Sequence, residues 1–437
     1  MEISRLYKIF RESAGVSTDS RKIADGELFF ALKGENFDGN AYAMDTLSKG
    51  ASYAVVDASS EAASSGDPRI IPVEDTLATL KELAAWHREH VQEPRVRVIG
   101  LTGTNGKTTT KELIRTVLSA RYRVVATEGN LNNDIGVPLS VLKITPDTDI
   151  AVIEMGASHP EDISVLVPVS RPDYGLITNV GKAHLLGFGS FEGVKHAKGR
   201  LYDYIAGTGG RIFLNTDDPV LCGMASERGL VGIPYGLKEF DARILPTSPE
   251  EPFLRMVVSG IQVNTRLVGA YNAANVLAAM AVGKEFGITF AEAAQAIGGY
   301  VPSNNRSQMS RTDHNLVIED AYNANPSSMA AALDNFSLMQ GARKVALLGD
   351  MRELGEDSLA EHVKVAGRVS GMGLWMCCLV GEEFGKALRE LGNPLNIKHF
   401  ATSDELAAFL SENHLDGAQV LVKGSRGIRM EKVLPCL

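Results

Sequence analysis

One junction constrains this chain more than any other: the apolar run Val96-Arg97-Val98-Ile99-Gly100-Leu101 followed at once by Gly103-Thr104-Asn105-Gly106-Lys107-Thr108-Thr109. The run reads as a short buried strand, and the residues from Lys107 onward read as a helix. Small residues between the two let the backbone turn tightly and aim amide N–H groups at an anion, where the helix N-terminus adds partial positive charge. In such a loop Lys107 reaches the β- and γ-phosphates of a nucleoside triphosphate, and the Thr108 hydroxyl ligates Mg²⁺. Leu101 stands where the usual pattern has its first glycine, so a bland loop that merely contains Gly-Lys-Thr is the competing reading.

The rest of the chain repeats the strand–helix rhythm. Residues 27–32 and 51–56 read as strands, with the glycine-containing loop Lys33-Gly34-Glu35-Asn36-Phe37-Asp38-Gly39 between them. Residues 76–90 read as a helix that leads to the linker Gln92-Glu93-Pro94. Residues 150–154 and 174–179 continue the central segment, and 315–319, 343–348, 374–380 and 419–422 form a third series of strands. Strands alternating with helices imply mostly parallel sheets. The expected fold is therefore α/β in three domains. These are a small N-terminal α/β domain (1–92), a central P-loop-type parallel-sheet ATPase domain (93–302) and a C-terminal Rossmann-like α/β domain (303–437). Ligands of such sheets bind beyond the carboxyl ends of the strands.

The formal net charge of -9 argues against broad nucleic-acid or acidic-membrane binding. The N-terminal stretch lacks the apolar core of a signal peptide, and no apolar run reaches the roughly 18 residues that span a bilayer. Cys222, Cys377, Cys378 and Cys436 form no CxxC pair and read as reduced, mostly buried thiols. A cytoplasmic monomer without membrane insertion is expected.

Two further residues sit just past predicted strands. Glu154 ends the strand Ile150-Ala151-Val152-Ile153, so its carboxylate would face the same sheet edge as Lys107; a solvated strand-end glutamate is the bland alternative. His184, in Thr178-Asn179-Val180-Gly181-Lys182-Ala183-His184, can ligate a divalent ion as the neutral imidazole, or be an ordinary loop histidine. No zinc-type ligand cluster is present, and Mg²⁺ held through oxygens and phosphates fits better.

These pieces together resemble the Mur ligases, whose P-loop variant reads Gly-Thr-Asn-Gly-Lys-Thr. The resemblance spans nearly the whole chain through Gly129 to Pro138, Glu154 to Ser158, His184 to Ser190, Asp320 to Pro326, Leu348 to Gly355 and Lys423 to Arg426. The Gly-Asn-Leu-Asn-Asn-Asp and Gly-Asp-Met-Arg-Glu-Leu-Gly stretches are similar to those of family members that add D-alanyl-D-alanine to UDP-N-acetylmuramoyl-tripeptide (UDP-MurNAc-tripeptide). The resemblance implies ATP and Mg²⁺ as cofactors and those two molecules as partners. It also implies the chemistry. The tripeptide carboxylate takes the γ-phosphoryl group of ATP to give an acyl phosphate and ADP, and the dipeptide amine then displaces phosphate.

Residue roles follow from the same resemblance. Ser20, Arg21, Lys33, Gly34, Asn36, Phe37 and Asp38 would hold the uridine nucleotide, with Asn130, Asn132 and Asn133 also on the substrate side. Gly103, Thr104, Asn105, Gly106, Lys107, Thr108 and Thr109 would hold the triphosphate. Thr108, Glu154, His184 and Lys198 would hold metal, with Lys198 resembling a lysine that such ligases carbamylate. An unmodified surface lysine is the alternative for Lys198, and Lys195 is a nearby competitor. Asn272 and Asn275 resemble an adenine-side motif, with Tyr271 where relatives often have histidine; Asn272 as a helix N-cap is compatible with that. Arg306 resembles an arginine that reaches the phosphates from the last domain. Lys107, Lys198, His184 and Arg306 are the catalytic candidates. Asp320 resembles an aspartate near the ATP ribose, or else an Asx-turn capping the next helix. Asn323, Asn325, Ser328, Lys423, Ser425 and Arg426 would shape the D-alanyl-D-alanine cleft. Three other readings stay open: a lysine- or diaminopimelate-adding sister enzyme, a folylpolyglutamate synthase, and a P-loop protein that hydrolyses ATP without ligating anything. An oxidoreductase is weaker, because no GxGxxG follows a strand.

Overall fold

The computed structural model describes residues 1–248, 251–302 and 308–437. The first sheet has four parallel strands in the order Val16–Ser17, Leu28–Phe30, Tyr53–Asp57, Ile70–Val73. Leu28, Phe29 and Phe30 are all buried, so this strand reads as a continuous apolar run rather than an alternating one. The loop after it forms a two-stranded hairpin, Lys33–Gly34 against Phe37–Asp38.

The helix Thr76–His90 joins this sheet to the next, packing against the first sheet and against the helices Gly136–Leu142 and Asp162–Ser170 of the central unit, with Leu80, Leu83 and Ala84 in the shared core. Its start is set by Asp75, whose carboxylate accepts from Ala78 N at 2.8 Å. One apolar core runs from Leu6 and Leu28 through this helix to Val98 and Val141.

The central sheet has six parallel strands in the order Ile233–Tyr235, Arg211–Asn215, Tyr174–Ile177, Arg97–Thr102, Ile150–Glu154, Val124–Ala126. The P-loop strand Arg97–Thr102 sits inside it, buried from Val98 to Thr102. The strand expected over 174–179 stops at Ile177, which frees Thr178 and Asn179 for the loop that follows. A small antiparallel sheet, Ala242–Ile244, Arg255–Val258 and Ile261–Asn264, packs on the helix Phe290–Gly299. Its strands are short and half exposed, which left little apolar pattern to read.

The third sheet is ordered Gln308–Arg311, Leu316–Asp320, Gln419–Lys423, Lys344–Gly349, Met376–Val380, Lys398–Phe400. Its first strand is antiparallel and the rest are parallel. Separate apolar cores cover its two faces, one around Leu333, Leu348 and Phe384, the other around Leu347, Leu406 and Val422. That is the arrangement of an open α/β sheet. No helix among the described residues is long and apolar enough to cross a membrane. The four thiols are free; Cys377 and Cys378 are buried, whereas Cys222 and Cys436 are only half-buried.

Candidate active site

The P-loop is shaped by two glycines and braced by the neighbouring strand end. Gly103 has φ 150° and Gly106 φ 77°. A Cβ on Gly103 would lie 1.8 Å from Thr178 Oγ1, and one on Gly106 would lie 2.7 Å from Asn275 Oδ1, so the loop has no room for side chains there. Thr178 donates its hydroxyl to Asn105 O at 2.7 Å. The Asn179 amide accepts from Asn105 N and donates to Asn105 O, both at 3.0 Å. Lys107 opens the helix Lys107–Leu118 and donates to Gly103 O at 2.8 Å.

Behind the loop, Glu154 is almost fully buried. Its carboxylate accepts from Asn132 Nδ2 at 2.8 Å and from the Thr108 hydroxyl at 3.0 Å, with the Lys111 ammonium 3.9 Å away. This rules out a solvated strand-end glutamate. Lys111 is wholly buried, pairs with Glu112 at 3.0 Å and donates to Thr127 O. The hydroxyl of Thr108 and the carboxylate of Glu154 are hard oxygen donors side by side, which suits Mg²⁺ completed by phosphate oxygens. Among the described residues, no cluster of three or more His, Cys, Asp or Glu forms a protein cage for a metal.

His184 lines the same cavity as Lys107 and Glu154. Burial pushes its pKa down, partly offset by the Glu353 carboxylate paired with Nδ1, while Lys107 pushes the same way as burial. The neutral imidazole is the ligating form. Lys198 is buried, not a surface lysine; Lys195 is the surface one, paired with Glu227 at 3.1 Å. Lys198 donates to Gly103 O at 3.1 Å, the carbonyl that Lys107 also uses. Burial first, then the Lys107 charge, push its pKa well below the usual lysine value, with Asp162 opposing.

Asn272 does not cap a helix with its side chain. Its amide donates to Val268 O at 2.8 Å and accepts from Asn275 Nδ2 at 2.9 Å, and Asn275 Oδ1 accepts from the Thr110 hydroxyl at 3.0 Å. This chain ties Tyr271-Asn272 to the P-loop helix. Arg306 lies outside the described residues.

The C-terminal sheet brings its own strand ends to the cavity. Asp320 pairs with Lys423 across adjacent strands, and the buried Lys423 also donates to Asn323 O at 3.3 Å. Asp320 is thus a cross-strand ion-pair partner and not the cap of the next helix. Asn325 caps the helix Pro326–Leu338 instead, accepting from Ser328 N at 2.9 Å, and donates its amide to Asn105 Oδ1 of the P-loop at 2.8 Å. The resulting cavity of about 410 Å³ is lined by Thr104 to Lys107, Thr109, Asn130, Asn132, Glu154, His184, Tyr271, Asn272 and Asn275, and by Asp320, Asn323, Asn325, Ser328 and Lys423. Ser425 and Arg426 are not part of the lining. The Ser425 hydroxyl donates to Ala324 O at 3.1 Å and accepts from Arg352 N, and exposed Arg426 lies over the Tyr322 ring.

The N-terminal candidates stand apart from this cavity. Arg21 is exposed and bidentate to Asp19, and Ser20 O accepts from Lys49. The Phe37 ring lies over Gly34, Asp38 accepts from Asn40 N at 2.9 Å, and Lys33, Asn36 and Phe37 are exposed. Asn132 and Asn133 line a neighbouring cavity of about 540 Å³ with Lys107 and His184. A larger cavity of about 1230 Å³ runs between Gly15 to Asp19 and Val124 to Gly129.

Comparison with known proteins agrees with this layout. The Mur ligase middle domain model matches residues 101–283, the Mur ligase glutamate ligase domain 305–426, and the Mur ligase family catalytic domain 12–91. The UDP-N-acetylmuramoyl-tripeptide–D-alanyl-D-alanine ligase of Bacillus subtilis is 35% identical over 430 residues, which cover 96% of this chain and 92% of that protein. The chain belongs to the Mur ligase family. A crystal structure of MurF from Acinetobacter baumannii superposes on this Mur ligase with a TM-score of 0.86 at 27% identity, covering 99% of this chain and 97% of the other. MurF from Thermotoga maritima in complex with ADP gives 0.84 at 26% identity, covering 97% of each. Reading the Mur ligase sequence missed Lys111, Thr178 and Asn179. Lys111 stands one helical turn after Lys107 beside Glu112, a pattern that reads as a solvated face.

Proposed function

We propose that this Mur ligase joins D-alanyl-D-alanine to UDP-MurNAc-tripeptide at the expense of ATP, giving UDP-MurNAc-pentapeptide, ADP and phosphate. One observation carries this reading: a single cavity is lined by the P-loop from one sheet and by Asn323, Asn325 and Ser328 from another. Two substrates can meet there. The 35% identity over nearly the full length to a D-alanyl-D-alanine ligase supports the choice of amine.

The tripeptide carboxylate oxygen attacks the γ-phosphorus, and the bond to the bridging oxygen breaks, releasing ADP. A carboxylate is a poor acyl donor because oxide is a poor leaving group; phosphorylation corrects this. The dipeptide nitrogen then bonds to the acyl carbon, phosphate leaves with the C–O electron pair, and the amine loses its proton. Lys107 swings from Gly103 O to neutralise charge on the transferred group, and the Gly103 to Thr109 loop holds the phosphates. Thr108, Glu154 and His184 would hold Mg²⁺, which supplies charge neutralisation at the phosphates when bound. Lys198 is buried, with the Gly103 carbonyl as a hydrogen-bond partner and no carboxylate paired with it among the described residues, which favours the free amine that adds CO₂ to form a carbamate and release a proton. By likeness to the family, Asn272 and Asn275 serve the adenine, Asp320 the ribose and Arg306 the phosphates. The hairpin around Phe37, with Ser20 and Arg21, takes the uridine nucleotide. Residues 1–92, 93–302 and 303–437 divide these duties, in a cytoplasmic enzyme acting as a monomer.

An ADP-release assay over a matrix of amines and nucleotide-linked peptides tests the reading. Release that requires both UDP-MurNAc-tripeptide and D-alanyl-D-alanine is expected. Release with a dipeptide acceptor and a single amino acid would reassign the enzyme to a sister reaction, and release without either substrate would make it a plain ATPase.

A further inference from the structure

His184 enters the short helix Leu185–Phe188 in a left-handed conformation, φ 52°. Its Nδ1 pairs with the carboxylate of Glu353, which comes from the loop after the strand Lys344–Gly349 of the third sheet. Glu353 is left-handed too, at φ 63°. Non-glycine residues hold that conformation only where surrounding contacts impose it. The same Glu353 accepts the Leu186 N–H at its backbone oxygen, 3.3 Å away, and Gly355 packs against Leu186. Side chain and backbone of one residue thus grip two positions of the His184 segment from the opposite sheet.

A histidine that ligates a metal through one ring nitrogen characteristically gives its other N–H to a carboxylate, which sets tautomer and ring orientation. With Nδ1 buried in contact with the Glu353 carboxylate, Nε2 is left as the nitrogen for an ion. We propose that Glu353 is a positioning residue that presents His184 to the divalent cation, so that the central cation site is complete only when the C-terminal unit is docked. This rests on reading His184 as a metal-binding residue. Glu353 does not touch the reacting atoms, and its side chain is more than half exposed, so its replacement leaves the core intact.

The test uses the full chain carrying Glu353→Ala, Glu353→Gln or His184→Ala. Two readouts are taken: the Mg²⁺ concentration for half-maximal ADP release, and the Mg²⁺-dependent rise in melting temperature with a non-hydrolysable ATP analogue. Glu353→Ala is expected to raise the Mg²⁺ requirement about 10-fold or more in both. Glu353→Gln, whose carbonyl still accepts from Nδ1–H, should fall between it and wild type. If His184→Ala shifts the Mg²⁺ dependence and Glu353→Ala does not, this inference is overturned while the reading of His184 stands. If neither shifts it, both fall. A lower Mg²⁺ requirement in Glu353→Ala would make the pair a lock on His184 and would overturn the proposal equally.

Discussion

Single side chains decide whether the phosphate site works. Lys107 rests on the carbonyls of its own loop, so Lys107→Ala leaves no packing hole there. Its expected effect is loss of ATP turnover with an unchanged melting curve, read by ADP release and thermal denaturation. Lys198→Ala should also abolish turnover, and added bicarbonate should not restore it; wild-type activity would end the carbamate idea. Lys111 makes a different case. Lys111→Met strands the Thr127 carbonyl and takes from buried Glu154 the ammonium 3.9 Å away. Removing one member of a buried ionic cluster costs about 3 kcal/mol or more, measurable as a shift of the urea midpoint. The motif residues Gly103 to Thr109 and Glu154 were legible as residues because their chemistry is carried by type and spacing. Lys111 was not, because nothing in a sequence tells a buried lysine from an exposed one.

At the scale of elements, the helix 76–90 was readable to the residue, since an N-cap aspartate and an apolar face mark it. What it does was not readable, and His87 shows why. His87 is buried between Tyr7 and Ile144, its Nε2 2.7 Å from Ile144 O. Desolvation pushes its pKa down to about 4, with the Arg11 charge adding to that and the Ile144 contact opposing it. The unfolded chain binds the proton near pH 6.5 and the folded chain only near 4. The unfolded state therefore holds more protons between those values, and stability rises with pH across them. Lowering the pH from 7 to 5 should cost about 2 kcal/mol from this residue alone. Urea titrations at the two pH values check it, and His87→Gln should flatten the difference. The strand expected to reach Asn179 failed for a related reason. Thr178 is β-branched and suits a strand, but its hydroxyl and the Asn179 amide are both taken by the P-loop backbone.

Over the whole molecule, polar contacts between the central and C-terminal units among the described residues include Asn325 with Asn105, Lys182 with Glu361 at 3.5 Å, Glu353 with His184, and Leu186 N with Glu353 O at 3.3 Å. Polar contacts of this kind between two units suit an enzyme that opens and closes around substrate. Asn325→Asp keeps the helix cap but removes the amide donated to Asn105. It should hold the wild-type melting temperature and yet increase the radius of gyration in solution scattering. Asn325→Ala should lose about 1 kcal/mol as well, from the missing cap.

Residue type and spacing alone set the phosphate loop, the alternation of strands with helices and the likeness to one ligase family, because backbone turns and apolar periodicity are local. Which strand ends face one another is not local. That Asn325 reaches Asn105 follows from how the third sheet is seated on the second, and that Asp320 pairs with Lys423 while Ser425 turns to Ala324 follows from strand pairing within the third sheet itself. Contacts between residues a hundred or more positions apart carry no trace in the spacing of either partner; only pairing and packing of the finished sheets bring them together.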